Sequence, residues 1–345
     1  GTLVPLDLSG KNRYTTISEI NGGIISMSHE LHLHKIGPIN DCRLTLDTFT
    51  VLTGPQANGK STVAKAVYFF RSVKQDILSI MMQGGPKAVT GESSSVWHTI
   101  LKQRMKDKFL QLFGTSWVMP TDMKMEYQYS SKVSITVSLD DDYNDPSRNY
   151  IVIDFSESIE NYLDALSSHI FTNITPAQKA YEEKKLNELF DDPYEPVFIP
   201  AGRNLLTLLS TQLNYIFTSL EDSQLRNIDY VTKRYTELIL RLKPVFAHGM
   251  EGVANRMKDD PTQSKKYERI CPSLNVLMDQ AKEIMQSTYR YVDGEERLYL
   301  SDDRYVKINL ASSGQQEVVW VFNLLFYYLS EDKRIFLIIE EPESH

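Results

Sequence analysis

Apolar and polar positions change period several times along the chain, and each change marks an element. Leu44 to Thr53 alternates and then turns apolar, as a strand running into a buried sheet would. A glycine-containing loop follows, and Val63 to Phe70 then has helical spacing with no breaker. From about His29 to Phe70 the pattern predicts strand, strand, loop, helix. After a Gly/Ser-rich break from Gly84-Gly85 through Ser95 comes a helix, Val96 to Phe113. Alternation returns in Lys124 to Tyr129, Val133 to Leu139 and Tyr150 to Phe155. The turn cluster Asp140 to Pro146 lies between the last two and predicts an antiparallel meander. Two helices, Ser158 to Ile170 and Pro176 to Phe190, precede a short apolar strand at Pro196 to Ile199, which ends in Pro200-Ala201-Gly202-Arg203.

The second half reads differently. Leu205 to about Gln286 is mostly helical, with breaks expected around Pro244, Gly252, Pro261 and Pro272, and has no sustained heptad. A hairpin pair, Tyr289 to Leu300 and Tyr305 to Leu310, leads to a helix from Gln315 to Leu329 and a strand from Ile335 to Ile339. Trp320, Phe322, Phe326 and Tyr327 make the Val318-to-Leu329 stretch apolar all round, which predicts a buried core helix. Ile335 to Ile339 does not alternate, which suits a central parallel strand buried on both faces.

Chemistry concentrates at three joints of this pattern. Gly54-Pro55-Gln56-Ala57-Asn58-Gly59-Lys60-Ser61-Thr62 fits the phosphate loop G-x-x-x-x-G-K-[ST]. A strand, a glycine loop and a helix start present backbone N–H groups and a positive dipole end to an anion, so a nucleoside triphosphate site is expected here. The second joint is Glu340-Glu341, two acids at the C-terminal end of an apolar strand, where ligands bind in open α/β sheets. By the logic of phosphate-loop ATPases, Lys60 serves the β- and γ-phosphates and Ser61 the metal; Glu340 then supports Mg²⁺ and Glu341 is the general base. The third is Ser312-Ser313-Gly314-Gln315-Gln316, a turn opening an apolar helix, with hydroxyls and bare N–H groups at a positive dipole end. Alone it reads as a plain N-cap.

Taken in order, these residues resemble the ABC-type ATPases, including the SMC-like and OLD-like branches. The ending Glu340-Glu341-Pro342-Glu343-Ser344-His345 resembles the E-E-P-E-x-H of OLD-like ATPases of bacterial defence and repair. The resemblance is strong over about thirty residues and diffuse elsewhere; the turn ending at Arg203 is a weaker match. It implies an α/β phosphate-loop fold with an ABC-type head (a mixed sheet plus an antiparallel β lobe) and a helical insertion. It also implies ATP and Mg²⁺ as cofactors. Ser312, Ser313, Gly314 and Gln315 of one subunit would cap the ATP held by another, giving a homodimer. An effector such as a nuclease becomes a candidate partner, and DNA binding is left open. Two further readings stand beside it: a slow-hydrolysing, nucleotide-gated scaffold for a partner protein, and the ATPase part of a nuclease whose catalytic module follows His345. A transporter subunit fits poorly, because the stretch from Lys60 to Glu340 is longer than in transporters or ring-forming AAA+ motors. The coiled-coil inserts of SMC proteins are longer still. The signature departs from Ser-Gly-Gly-Gln, Glu340 replaces the commoner Asp, and neither a Q-loop glutamine nor a switch histidine is identified.

This reading divides the chain into an extension (1–26), a first lobe with the phosphate loop and meander (27–200), a helical insertion (201–288) and a second lobe (289–345). Met27 reads as a natural start, and a continuation past His345 is expected. A net charge of −8 among 345 residues argues against a surface dedicated as a whole to nucleic acid. Cys42 and Cys271, far apart and outside any ligand motif, suggest free thiols in a reducing cytoplasm, and no apolar run is long enough to span a bilayer. His32 and His34 share a strand face but lack the HExxH spacing, so exposed strand histidines are the reading there. Lys102, Arg104, Lys106 and Lys108, like Lys184 and Lys185, read as solvated helix faces.

Overall fold

Alternation at the start of the chain becomes a hairpin. Strands β1 (His29–Ile36) and β2 (Ile39–Leu46) pair antiparallel, from His29 opposite Leu46 to Ile36 opposite Ile39. Leu31 and Leu33 of one strand and Cys42, Leu44 and Leu46 of the other are buried, because successive side chains take opposite faces. The computed structural model describes residues 29–46, 49–85, 95–142, 145–167, 174–209 and 229–342. Over these the protein is a mixed α/β chain with antiparallel sheets, and it divides into two units, Gly1–Pro193 and Tyr194–His345.

In the first unit β3 (Lys124–Ser130), β4 (Val133–Asp142) and β5 (Asp145–Phe155) extend the hairpin into a five-stranded sheet of order β2-β1-β3-β4-β5. The expected meander is present, and its pairing runs on through the acidic cluster to Asp142 opposite Asp145. The helices are α1 (Lys60–Arg71), α2 (Val73–Met82), α3 (Ser95–Phe113), α4 (Glu157–Leu166) and α5 (Pro176–Leu189). Helix α4 stops short of the expected Ile170; residues 168–170 lie outside the described set. Phe69 and Phe70 end α1 against an aromatic core: Phe70 stacks on Tyr127 at 5.2 Å, and Phe69 meets Phe109 edge-on at 6.3 Å. The Tyr129 hydroxyl donates to the Phe70 carbonyl at 2.6 Å, which holds the helix end to the sheet.

Charge is buried beside that core. Arg71 and Lys74 both pair with Asp192, whose carboxylate is fully buried; the Arg71 contact is 2.6 Å. Lys108, read from the sequence as part of a solvated face, is instead buried and pairs with Asp76 and the Ser72 hydroxyl. Its half-buried neighbours have partners nearer the surface. Lys102 sits over the Phe155 ring, Lys106 over Tyr150, and Arg104 donates to the Asp76 carbonyl and Gln83. Among these four, Lys108 is the buried cation; Lys102, Arg104 and Lys106 are half-buried.

The second unit holds β6 (Glu195–Ile199), α6 (Tyr230–Leu242), α7 (Gly249–Asp259), α8 (Ser264–Met285), β7 (Thr288–Val292), β8 (Glu295–Ser301), β9 (Arg304–Lys307), α9 (Ser313–Ser330) and β10 (Ile335–Ile339). Residues 203–209 are also helical. Two expected breaks are absent. Gly252 lies within α7, where a Cβ would meet that of His248 at 2.3 Å, so the glycine allows close packing and does not end the helix. Pro272 lies inside α8 on its exposed side, while Ile270, Leu274, Ala281 and Met285 bury the other face. That burial outweighs the one hydrogen bond proline removes. The second hairpin strand is shorter than expected, since 308–310 form a 3₁₀ turn.

Helix α9 is the core element the pattern predicted. Trp320 and Phe326 are fully buried in one cluster with Tyr235, Phe246, Leu274 and Met285. The Glu296 carboxylate accepts from Trp320 Nε1 and the Tyr289 hydroxyl, each at 3.0 Å, and pairs with Lys243 at 2.6 Å. Strand β10 pairs in parallel with β6, Ile335 opposite Glu195 through Ile339 opposite Ile199. The parallel pairing is as expected, but the setting is not. Among the described residues this sheet has two strands, and all five β10 residues are only half-buried.

Candidate functional site

Each joint singled out in the sequence is a turn with its own geometry. At the glycine loop, the strand expected to run to Thr53 ends at Leu46. Residues 49–54 form no strand, and Phe49 is 66% exposed. The reason lies in the pairing: Leu46 faces His29, and among the described residues the apolar letters beyond it have no neighbouring strand.

The loop turns through left-handed backbone. Gly54, Ala57 and Gly59 take positive φ of 149°, 63° and 87°. Gly59 caps α1, and the first helical bond runs from Val63 N to its carbonyl at 2.9 Å. A Cβ on Gly59 would sit 2.6 Å from Ile39 Cγ1 and 3.3 Å from Pro38 Cγ, so glycine is required both by its dihedral and by the β1–β2 turn against it. Lys60 Nζ folds back to donate to the Gly54 and Pro55 carbonyls, both at 2.8 Å. Helix α1 has no side-chain cap and no acid in its first turn. Its opening N–H groups and positive dipole end lie beside Lys60, with Gln56, Ala57, Asn58 and Ser61 exposed around them and Thr62 half-buried. The donor set is cationic and amide-rich, which fits a phosphate.

The serine turn is a capping box. Ser312 Oγ accepts from Gln315 N at 3.3 Å, and Gln315 Oε1 accepts from Ser312 N at 3.1 Å. Gln315 Nε2 also donates to the Met285 carbonyl at 2.7 Å. Ser312 and Gln315 are thereby engaged in starting α9. Ser313 is exposed, and open space surrounds the Cα of Gly314. S312A is expected to lower stability by about 1 kcal/mol, read as a shift of the denaturation midpoint; no shift would mean the cap contributes nothing.

At the acidic strand end, Glu340 N donates to the Ile199 carbonyl at 3.0 Å, and Glu340 Oε2 accepts from Ala201 N at 3.4 Å. Glu340 Oε1 is buried without a hydrogen-bond partner, a donor atom suited to a cation or its water. Glu341 is exposed and adopts φ 45°, the left-handed region that non-glycine residues rarely enter. Glu343 and His345 of the ending lie outside the described residues.

Two residues at these turns carry more than their sequence signals indicated. Arg203 and Glu317, 5% and 4% exposed, form an ion pair at 2.9 Å. Arg203 ends the Pro-Ala-Gly-Arg turn, whereas Glu317 passed unnoticed at the start of the apolar helix. A lone acid in such a helix is itself a signal of a buried cationic partner.

His32 Nε2 and His34 Nδ1 both contact Asp41 Oδ1, at 2.9 and 3.3 Å. The hydrogen bond from His32 is the main cause holding the Asp41 carboxyl below its usual range. Among the described residues no group of three His, Cys, Asp or Glu is placed to hold a metal, and no helix is long and apolar enough to cross a membrane.

No protein-family model and no curated protein matches the chain. Among solved structures it is similar to the Smc head domain with an extended coiled coil bound to the C-terminal domain of ScpA, from Pyrococcus furiosus. That match has 11% identity, covers 92% of this chain and 90% of that one, and has a TM-score of 0.30. At that score the likeness carries no argument about fold or function.

Proposed function

We propose that the chain is a Mg²⁺-dependent ATPase of the ABC type, OLD-like branch, that dimerises around ATP. The observation that carries this reading is the glycine loop. Gly59 is left-handed against Ile39, Lys60 is folded over the loop carbonyls, and α1 begins without a side-chain cap or an acid in its first turn. That arrangement is suited to triphosphate oxygens, with Lys60 exchanging two carbonyl partners for phosphate. Mg²⁺, when bound, would neutralise charge developing on the phosphates, and Ser61 and Glu340 are the residues assigned to it. Glu341 is assigned to orient and deprotonate the attacking water. The first turn of α9, with Ser313 exposed and Gly314 half-buried, would in one subunit close on the γ-phosphate held by Lys60 of the other.

By the same resemblance, the cycle would govern an effector such as a nuclease in defence or repair. Co-purification with and without ATP tests this; an unchanged partner set would remove it. The central test is K60A. Binding of a fluorescent ATP analogue is expected to weaken at least ~10-fold and Mg²⁺-dependent phosphate release to vanish, because the loop loses its one positioned cation. Wild-type affinity in K60A would refute a phosphate role for this loop.

A further inference from the structure

We infer that Arg203 is a positioning residue that fixes the geometry of the acidic strand end to that of the serine-turn helix; this rests on the ATPase reading. One guanidinium makes all the connections. Arg203 Nη1 donates to the carbonyls of Glu340 at 2.6 Å and Pro200 at 3.3 Å, and Nη2 donates to the carbonyl of Glu341 at 3.2 Å. Its Nε lies 2.9 Å from Glu317 Oε2, an ion pair by proximity in which neither atom has an aligned hydrogen bond. The other Glu317 oxygen, Oε1, accepts from Asn204 N at 3.2 Å.

Glu317 stands in the second turn of α9, whose first turn is the Ser312–Gln315 cap. The adjacent Gln316 adds three hydrogen bonds. Its carbonyl accepts from the Thr207 hydroxyl at 3.1 Å, and its amide donates to the Ile308 carbonyl at 2.9 Å and the Ala311 carbonyl at 3.1 Å. A set of buried and part-buried polar contacts, joined through the adjacent residues Gln316 and Glu317, therefore runs from the 308–312 turn to Arg203 and on to Glu340 and Glu341.

The chemistry of the guanidinium is what makes this arrangement possible. Its planar fork carries donors in fixed directions, so Nη1 and Nη2 can hold several carbonyls while the delocalised charge lies against the Glu317 carboxylate. A lysine presents a point charge and cannot span both. Glu341 gives the tie its consequence. Its left-handed φ of 45° is a strained choice for a glutamate, and such a conformation persists only where the surroundings hold it. Arg203 grips the carbonyl of that same residue and the one before it. The strand end is thus set by a cation outside the reacting groups, and Arg203 acts through Glu341 without touching substrate.

The test compares R203K, E317Q and the double variant with the wild type in the full chain. With hydrolysis measured at saturating Mg²⁺-ATP, each single variant is expected to lose at least ~10-fold in kcat while KM and affinity for the fluorescent analogue stay within ~2-fold. The double variant is expected to be no slower than the slower single, because both remove one tie. Hydrogen exchange gives a readout independent of turnover: in R203K, peptides covering 308–317 and 335–342 should both exchange faster. A folded R203K with wild-type kcat, multiplicative losses in the double variant, or faster exchange in only one of the two peptides would overturn the inference. An active wild type with an unaffected R203K overturns it alone. A wild type that binds but never hydrolyses ATP overturns the ATPase reading and this inference together.

Discussion

E341Q is expected to bind ATP as the wild type does and to turn it over about 10²- to 10⁴-fold more slowly, the range a positioned general base supplies. The change removes the basic oxygen and keeps the size of the side chain, so the strand turn at Glu341 and its contact with Arg203 should survive. Arg203 grips the backbone carbonyl of Glu341, which the substitution leaves in place. With hydrolysis blocked, ATP and the dimer it bridges should accumulate. Size-exclusion chromatography with light scattering would show a dimer in ATP for E341Q and a shorter-lived one for the wild type. A single-turnover rate equal to wild type would remove Glu341 from the base role. Glu340 would be the next residue to test, since its Oε1 is buried without a partner.

D192A is expected to cost about 3–5 kcal/mol of stability, the usual loss when one side of a buried ion pair is removed. The two cations it would strand differ. Burial pushes the Lys74 ammonium down to about 8, with Asp192 partly offsetting that shift, so Lys74 can give up its proton when the carboxylate is gone. Arg71 cannot. The penalty therefore falls on Arg71, and a variant replacing Arg71 and Asp192 together by Met and Leu should recover much of the loss. Urea denaturation of the three proteins measures it. A D192A loss below about 1 kcal/mol would mean that water reaches the pair. For Lys74 itself, the folded value lies below the ordinary 10.5. Its charge therefore opposes folding below about pH 8, and that opposition fades as pH rises toward 10.5.

Much of the local structure was legible because it depends on local causes. Alternation located β3 to β5, since a sheet with one buried face needs a period of two. The apolar helix at Trp320 and the parallel strand at Ile335 were also readable. Where reading failed, packing, near or distant in the chain, had overruled a propensity rule. Pro272 and Gly252 are helix breakers by propensity, yet α8 continues through the first because its other face is buried. Helix α7 contains the second because His248 needs the space. Lys108 read as solvated because charge usually is; Asp76 and Ser72 bring it inside. The strand predicted to reach Thr53 failed for a related reason, since an apolar run becomes a strand only beside a partner.

The candidate site divides in the same way. Sequence alone located the glycine loop as a candidate, because the G-x-x-x-x-G-K-[ST] spacing is a property of adjacent letters. It also determined the Ser312–Gln315 cap, a three-residue spacing closed by its own side chains. Only the tertiary structure decided that Ile39 packs against Gly59, that Glu340 has a buried oxygen without a partner, and that Arg203 joins Glu317 to the acidic strand end. Those contacts link residues far apart in the chain. A charged side chain goes inside only where folding has gathered its partners, and no local spacing records that.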